Sequence, residues 1–181
     1  MAERVTLREA VPEEYEELGR LTVDAYEEFA QRLGEDWAGY RDDLADVARR
    51  AAQGTQLLAE AGVRPLGTVT YYSPRSAADP EDWWRCPRDH AYLRALAVHP
   101  GVRGQSIGKA LTLATIQRAT ADGAAGIALN TMSFMAAATA LYEGLGFRRT
   151  GGEVMWGDHG MLSYVLAIDG PRPSTLLESQ L

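Results

Sequence analysis

The sequence predicts a mixed α/β fold: one central sheet flanked by helices. Three observations carry this. Short apolar runs with strand spacing recur along the chain, separated by segments with helical spacing. At the centre, the largely apolar run His90–Val98 is followed by a helical pattern and a second short apolar run, Ile127-Ala128-Leu129. A helix between two strands is long enough for a crossover, so these two strands are expected to be parallel. Finally, 181 residues, 46% of them hydrophobic, suit a single domain with one sizeable core.

Val5-Thr6-Leu7-Arg8 alternates apolar and polar and predicts a first strand. Pro12 suits the first position of a helix, with Glu13 and Glu14 favourable near its positive end. Tyr15, Leu18, Leu21, Thr22, Ala25, Tyr26 and Phe29 recur at helical spacing, so the helix runs to about Arg32, and Gly34 breaks it. A second helix is predicted from Tyr40 to Ala52, with Leu44, Val47 and Ala48 facing inward and Gly54 stopping it. Gln56–Ala61 and Pro65–Ser73 form a hairpin around Gly62, with Leu66, Val69 and Tyr71 as packing residues. Pro74, which has no N–H to give a ladder, ends the second strand.

A long irregular loop from Pro74 to Asp89 follows, carrying Pro80, Trp83, Trp84, Cys86 and Pro87. A loop of this length in a compact domain is expected to be a lid or disordered, and the paired tryptophans favour the former. The apolar character of His90–Val98 implies a strand covered on both faces. Ile107–Ala121 is a helix ended by Asp122-Gly123. Ser133 is the expected N-cap of a helix reaching Glu143, with Gly144 and Gly146 supplying the left-handed backbone at its end. Phe147–Trp156 and Met161–Ile168 make a last hairpin around Gly157-Asp158-His159-Gly160. The domain is expected to span residues 1–168, and residues 169–181, with Pro171 and Pro173, to form a loose tail.

The net charge of −7 weighs against a nucleic-acid partner, which needs a basic face. No apolar run approaches the length of a membrane helix, and Met1-Ala2-Glu3-Arg4 leads into no signal core. A single cysteine, Cys86, allows no intrachain disulfide and points to a reducing compartment, hence a cytoplasmic location.

Two segments carry chemistry. The first is the loop Arg103-Gly104-Gln105-Ser106-Ile107-Gly108 at the start of a helix. Helix-start N–H groups carry partial positive charge, and small residues let an anion approach the backbone. Arg103 adds a charge-assisted contact, so the loop suits a pyrophosphate. The same residues also suit a helix start that merely needs a tight turn, and spacing alone leaves the two even. The Walker pattern is absent, since Gly108-Lys109 is followed by Ala110, and so is Gly-x-Gly-x-x-Gly. The second segment holds Tyr142. A phenol stays protonated at neutral pH and can donate a proton, although a helix-end tyrosine packed under Phe147 is the commoner role.

Together, LRALAVHPGVRGQSIGKALT and ALYEGLGFRRTG resemble the two linked signatures of the GNAT superfamily of acetyl-CoA-dependent N-acetyltransferases. The resemblance covers about Leu57 to Gly151 and fits the N-terminal helices more loosely. It implies a GNAT-type domain whose parallel central strands splay apart near Val98 and Asn130 to admit the pantetheine arm of acetyl-CoA as co-substrate. It implies that Arg103, Gly104, Gln105, Ser106, Ile107 and Gly108 cradle the pyrophosphate, largely through backbone N–H groups. Leu96 and Val98 would pair with the arm, and an N–H near Val98 would polarise the thioester carbonyl. Ala97, Lys109, Asn130 and Ala138 complete the implied cofactor contacts. Tyr142 would both touch the cofactor and protonate the departing thiolate. No metal is implied.

Three positions depart from the family pattern. Ser106 stands where a glycine is usual, Met135 where an asparagine is common, and Tyr92 where a central-strand carboxylate often serves as base. The base matters, because only about one lysine-like amine in a few thousand is neutral at pH 7. Candidates are Glu28, Glu60, His90, Asp158 and His159, each also readable as a surface or turn residue, while His99 is expected to be structural. Direct attack by the amine is preferred to a two-step route through Cys86. Trp83, Trp84, Tyr26, Phe29, Tyr71 and Trp156 are candidate walls of an acceptor pocket, with core or dimer packing an equal alternative. The expected acceptor is the amine of a small molecule or a protein, and a homodimer is a candidate state. The missing carboxylate keeps open a second class, a non-catalytic acyl-CoA-binding sensor. A phosphate-loop nucleotide binder ranks behind both.

Overall fold

The computed structural model describes residues 4–74 and 86–168. Trp83, Trp84 and the tail 169–181 lie outside the described residues.

A seven-stranded sheet runs in the order β1-β2-β3-β4-β5-β7-β6. Its strands are β1 (Val5–Glu9), β2 (Thr55–Ala61), β3 (Arg64–Tyr72), β4 (His90–Val98), β5 (Gly126–Met132), β6 (Arg148–Trp156) and β7 (His159–Ala167). Helices α1 (Tyr15–Tyr26), α2 (Ala30–Leu33), α3 (Trp37–Ala45) and α4 (Val47–Ala51) precede β2. Helix α5 (Ile107–Ala121) links β4 to β5, and α6 (Ala136–Gly144) links β5 to β6. Every pairing is antiparallel except β4 with β5, joined through the α5 crossover as expected.

Side-chain alternation sorts the sheet into two faces. Leu57 and Ala59 of β2, with Ala91 and Leu93 of β4, pack with Leu111 of α5 and Tyr142 of α6. Leu58, between the first two, points the other way onto Leu18 and Val47. Full burial of a leucine such as Leu18 or Leu58 stabilises by roughly 2 kcal/mol, so these rows hold the helices on both faces. At the N-terminal edge, Arg8 pairs with Glu14 at 2.6 Å and Glu60 at 2.7 Å. The Val11 amide donates to Glu14 at 2.8 Å, closing the start of the helical segment. The Arg8 guanidinium holds the Glu14 carboxyl below its ordinary pKa of 4.5.

Several local expectations are corrected. The first long helix is interrupted by a 3-10 turn at Glu27–Phe29 before α2. The second breaks at Asp46, and on α4 Ala48 faces solvent while Arg50 is buried. Arg50 earns that place by its hydrogen bonds: Nη1 to the Asp43 carbonyl at 2.5 Å, Nη2 to the Leu44 carbonyl at 2.8 Å and Nε to Thr70 Oγ1 at 3.2 Å. Met135, not Ser133, precedes α6. Only Gly146 takes the left-handed backbone expected of both glycines after that helix. His159 opens β7 instead of sitting in the turn, and β5 extends to Met132.

The strand β4 contains a feature that its sequence hides. Ala95 adopts φ 53°, a left-handed value that costs an alanine about 1–2 kcal/mol. The register against β3 slips there, from Thr70↔Arg94 to Thr68↔Ala97. This is a β-bulge, and it shifts the alternation by one residue. Beyond it Leu96 and Val98 fall on the α5 side, while Ala97 meets Leu21 and Ala25 of α1.

Candidate active site

The parallel ladder between β4 and β5 runs from His90↔Gly126 to Leu93↔Leu129 and stops. Both strands continue, β4 to Val98 and β5 to Met132. The strands therefore part at the bulge, and a cavity of about 340 Å³ opens between them. It is lined by Leu93, Arg94, Ala95 and Leu96 of β4 and by Asn130, Thr131 and Met132 of β5. Met135, just before α6, and Ala138 and Tyr142 of α6 close it, with Tyr26, Tyr40 and Asp43 from the N-terminal helices and Trp156 from β6.

At one end of the parting stands the start of α5. His99 Nδ1 accepts from the Gly101 amide at 3.1 Å and fixes the turn, the structural role expected of it. Gly104 and Ser106 have φ values of 79° and 63°. The first bond onto α5 runs from the Ala110 amide to the Ser106 carbonyl at 2.9 Å. The amides of Ile107, Gly108 and Lys109 therefore have no acceptor within the helix and carry its positive pole. Gly108 faces the end of β4 and α6 together: a Cβ there would meet Leu141 at 3.4 Å, Val98 at 3.5 Å and Leu96 at 3.9 Å. The helix start, the unpaired end of β4 and the turn before Tyr142 thus converge.

The side chains of this region are committed differently from the sequence expectation. Arg103 turns away to α1, donating to the Ala25 carbonyl at 2.7 Å and pairing with Glu28 at 2.7 Å. Any anion at the loop would be held by backbone, not by this guanidinium. The Leu96 carbonyl accepts from the Tyr26 hydroxyl at 3.1 Å. Asn130 donates to the Tyr92 hydroxyl at 2.9 Å and accepts from Ser163 at 2.8 Å, so its side chain is held at both ends. Ser106, Gln105 and Lys109 are exposed at the loop, and Ala97 lies on the opposite face against α1. Met135 is buried, with its sulfur 3.6 Å from Thr131 Oγ1.

Tyr142 packs on Phe147, ring centroids 5.6 Å apart, and lines the cavity. Burial pushes its hydroxyl well above the ordinary phenol value, so it is protonated at neutral pH. The Tyr26 and Tyr92 phenols are pushed up to about 12 by burial as well.

None of the five base candidates lines the cavity. Glu28 pairs with Arg103, Glu60 with Arg8, His90 with Asp89 and His159 with Asp36. The cavity carboxylate is Asp43, overlooked in the sequence because it sits on a polar stretch of helix. Its Oδ2 is 2.7 Å from Arg94, and its Oδ1 pairs with Arg49. Tyr71 is no wall: it does not line the cavity and donates to Asp122, beyond the end of α5, at 2.7 Å. Tyr26 and Trp156 do line the cavity, and Phe29 stands behind Tyr26 with centroids 6.2 Å apart. Cys86 lies outside it, and burial pushes its thiol up to about 11, which disfavours the thiolate a two-step route needs. Among the described residues no group of metal-ligating side chains is found, and no helix is long and apolar enough to cross a membrane.

A mixed sheet parted at its central parallel pair, with a helix start aimed at the gap, defines an acyltransferase-type α/β domain. The Acetyltransferase (GNAT) family model matches residues 13–147, and the chain belongs to that family. It is 32% identical over 125 residues to N-acetyltransferase 8F1 of Rattus norvegicus, covering 65% of this chain and 53% of that protein. It is 35% identical over 111 residues to the probable N-acetyltransferase family 8 member 5 of Mus musculus, covering 60% and 46%. The chain thus spans about half the length of the curated relatives it matches. Its fold is shared by yncA of Salmonella typhimurium, a structure solved with acetyl-CoA (TM-score 0.67, 19% identity, 94% of this chain and 98% of that one). It is also shared by the PaiA N-acetyltransferase of Thermoplasma acidophilum in complex with coenzyme A (TM-score 0.66, 16% identity, 88% and 98%).

Proposed function

We propose that this chain transfers the acetyl group of acetyl-CoA to a primary amine by direct attack, with Tyr142 protonating the departing thiolate. The observation that carries the reading is one convergence: unpaired amides at the start of α5, the edge of β4 that β5 leaves unpaired, and Tyr142, all at one parting of the sheet. The residues fit the co-substrate. Amides from Ser106 to Lys109 suit a diphosphate, and β4 from Arg94 onward presents an edge that β5 does not use. When bound, the co-substrate supplies an activated acyl group. The protein aligns that group with the amine and excludes water.

Tyr142 meets two requirements of a proton donor. Burial keeps it protonated, and its position on the cavity wall gives access to the leaving group. Its high pKa also means that the donated proton is recovered readily from solvent after turnover. An amine acceptor enters the cavity between α1, α3 and Trp156. The Tyr92–Asn130–Ser163 chain is the ordered polar path beside it.

Thiol release from acetyl-CoA across a broad panel of amines tests the proposal. Turnover with at least one amine is expected. Tight binding of acetyl-CoA without turnover on any amine would convert the reading to an acyl-CoA sensor.

A further inference from the structure

The charges around the cavity say what kind of amine enters it. Arg94 leaves β4 just before the bulge, and Arg49 stands across from it on α4. Arg50 lies buried behind them. Of these, Arg49 and Arg94 line the cavity, and the carboxylate that lines it with them is Asp43. Asp43 is shared between Arg49 and Arg94, and Asp46 caps α4 while pairing with Arg49 at 3.5 Å. The balance leaves one positive charge in excess at the cavity. A guanidinium offers five N–H donors in a planar fork, and Arg94 gives one of its bonds to Asp43. It also reaches the Tyr72 hydroxyl. The opposite wall is aromatic: Tyr40 and Trp156 lie 5.7 Å apart, and Tyr26 lies 6.0 Å from Tyr40.

An acceptor that is only a cation is repelled by such a site. One carrying a carboxylate beside its amine brings the missing negative charge to Arg94. Its apolar part then faces Tyr26, Tyr40 and Trp156, and its amine faces the parting at Ala95 and Leu96. We infer that the acceptor is an amino acid with an aromatic or large apolar side chain, its carboxylate held by Arg94. The inference rests on the acetyltransferase reading and names the substrate class of the same cavity. A site built to pair a charged group discriminates strongly against the analogue lacking it.

Matched pairs that differ only in the carboxylate test this on the full chain: phenylalanine with phenethylamine, tyrosine with tyramine, leucine with isoamylamine. Thiol release should show kcat/KM at least ten-fold higher for the acid of at least one pair. Arg94→Gln should lower the acid-to-amine ratio of kcat/KM about ten-fold, chiefly through a higher KM for the acid. Should Arg94→Gln fail a thermal-melt check, Arg94→Lys keeps the charge but loses the fork, and should narrow the preference several-fold. Equal or better turnover of the decarboxylated amines, or an equal fall for both members of a pair, overturns the inference and leaves the acetyltransferase reading standing. No thiol release from these pairs or from the broad amine panel defeats both.

Discussion

The two halves of the candidate site are built by different means. The half around α5 is made of backbone. Its amides stem from a contiguous stretch, Ser106 to Lys109, and the guanidinium beside them, Arg103, is tied away to Ala25 and Glu28. The half between α1, α3, β4 and β6 is made of side chains that are far apart in sequence, from Tyr26 to Trp156. A backbone site tolerates many side chains, provided the φ values hold. A side-chain site changes its chemistry with single substitutions. This is why a coenzyme, constant across a family, suits the first half, and a variable acceptor suits the second.

Four substitutions break or sharpen that contrast. Tyr142→Phe is expected to have the largest effect, because it removes the proposed proton donor from the point where the halves meet. Turnover should fall about a hundred-fold or more, with acetyl-CoA affinity by calorimetry within two- to three-fold. Loss of binding with unchanged turnover per bound complex would remove Tyr142 from the role of acid. Arg50→Ala strikes the scaffold of the side-chain half. It removes three bonds, to the carbonyls of Asp43 and Leu44 and to the hydroxyl of Thr70, from a buried position and should cost about 3 kcal/mol in urea denaturation. A loss near zero would mean that water replaces those bonds.

Ser106→Gly addresses the backbone half. Ser106 holds φ 63° without capping α5 through its side chain, so glycine relieves left-handed strain. Stability should rise by about 1 kcal/mol and acetyl-CoA affinity should change only modestly. A drop in melting temperature would show that the hydroxyl matters to the fold. The smallest effect is expected outside both halves, at Glu14→Gln. The Glu14 carboxyl is depressed below 4.5 in the folded chain, so its contribution is full above that value and is lost as pH falls through the folded pKa. The variant should be about 0.5 kcal/mol less stable at pH 7, and the difference should shrink progressively below pH ~4.5. A difference that grows in acid would reverse the assignment.

The same division explains what could be foreseen. Strand β4 and helix α5 were legible residue by residue, because periodicity and the Asp122-Gly123 stop are local signals. Ser133 and Gly144 misled, since a capping residue in sequence caps only if the chain direction before it is right. Ala48, expected inward, is exposed and Arg50 is buried for a similar reason. A buried guanidinium is stable only where carbonyls and a hydroxyl from other segments converge on it, and those partners are invisible along the helix itself. Asp43 was missed because only folding sets it against Arg94, on a strand that follows much later in the chain.

The order and type of the elements, the parallel central pair, the glycine-bearing start of α5 and the family resemblance were all determined by the sequence itself, because each depends on neighbouring residues. The tertiary structure alone decided the bulge at Ala95, the turning of Leu96 and Val98 toward α5, the diversion of Arg103 and the meeting of Arg94 with Asp43. Those depend on contacts between distant segments. Alanine has no local preference for φ 53°, so a left-handed residue in mid-strand exists only where the surrounding packing outweighs its cost.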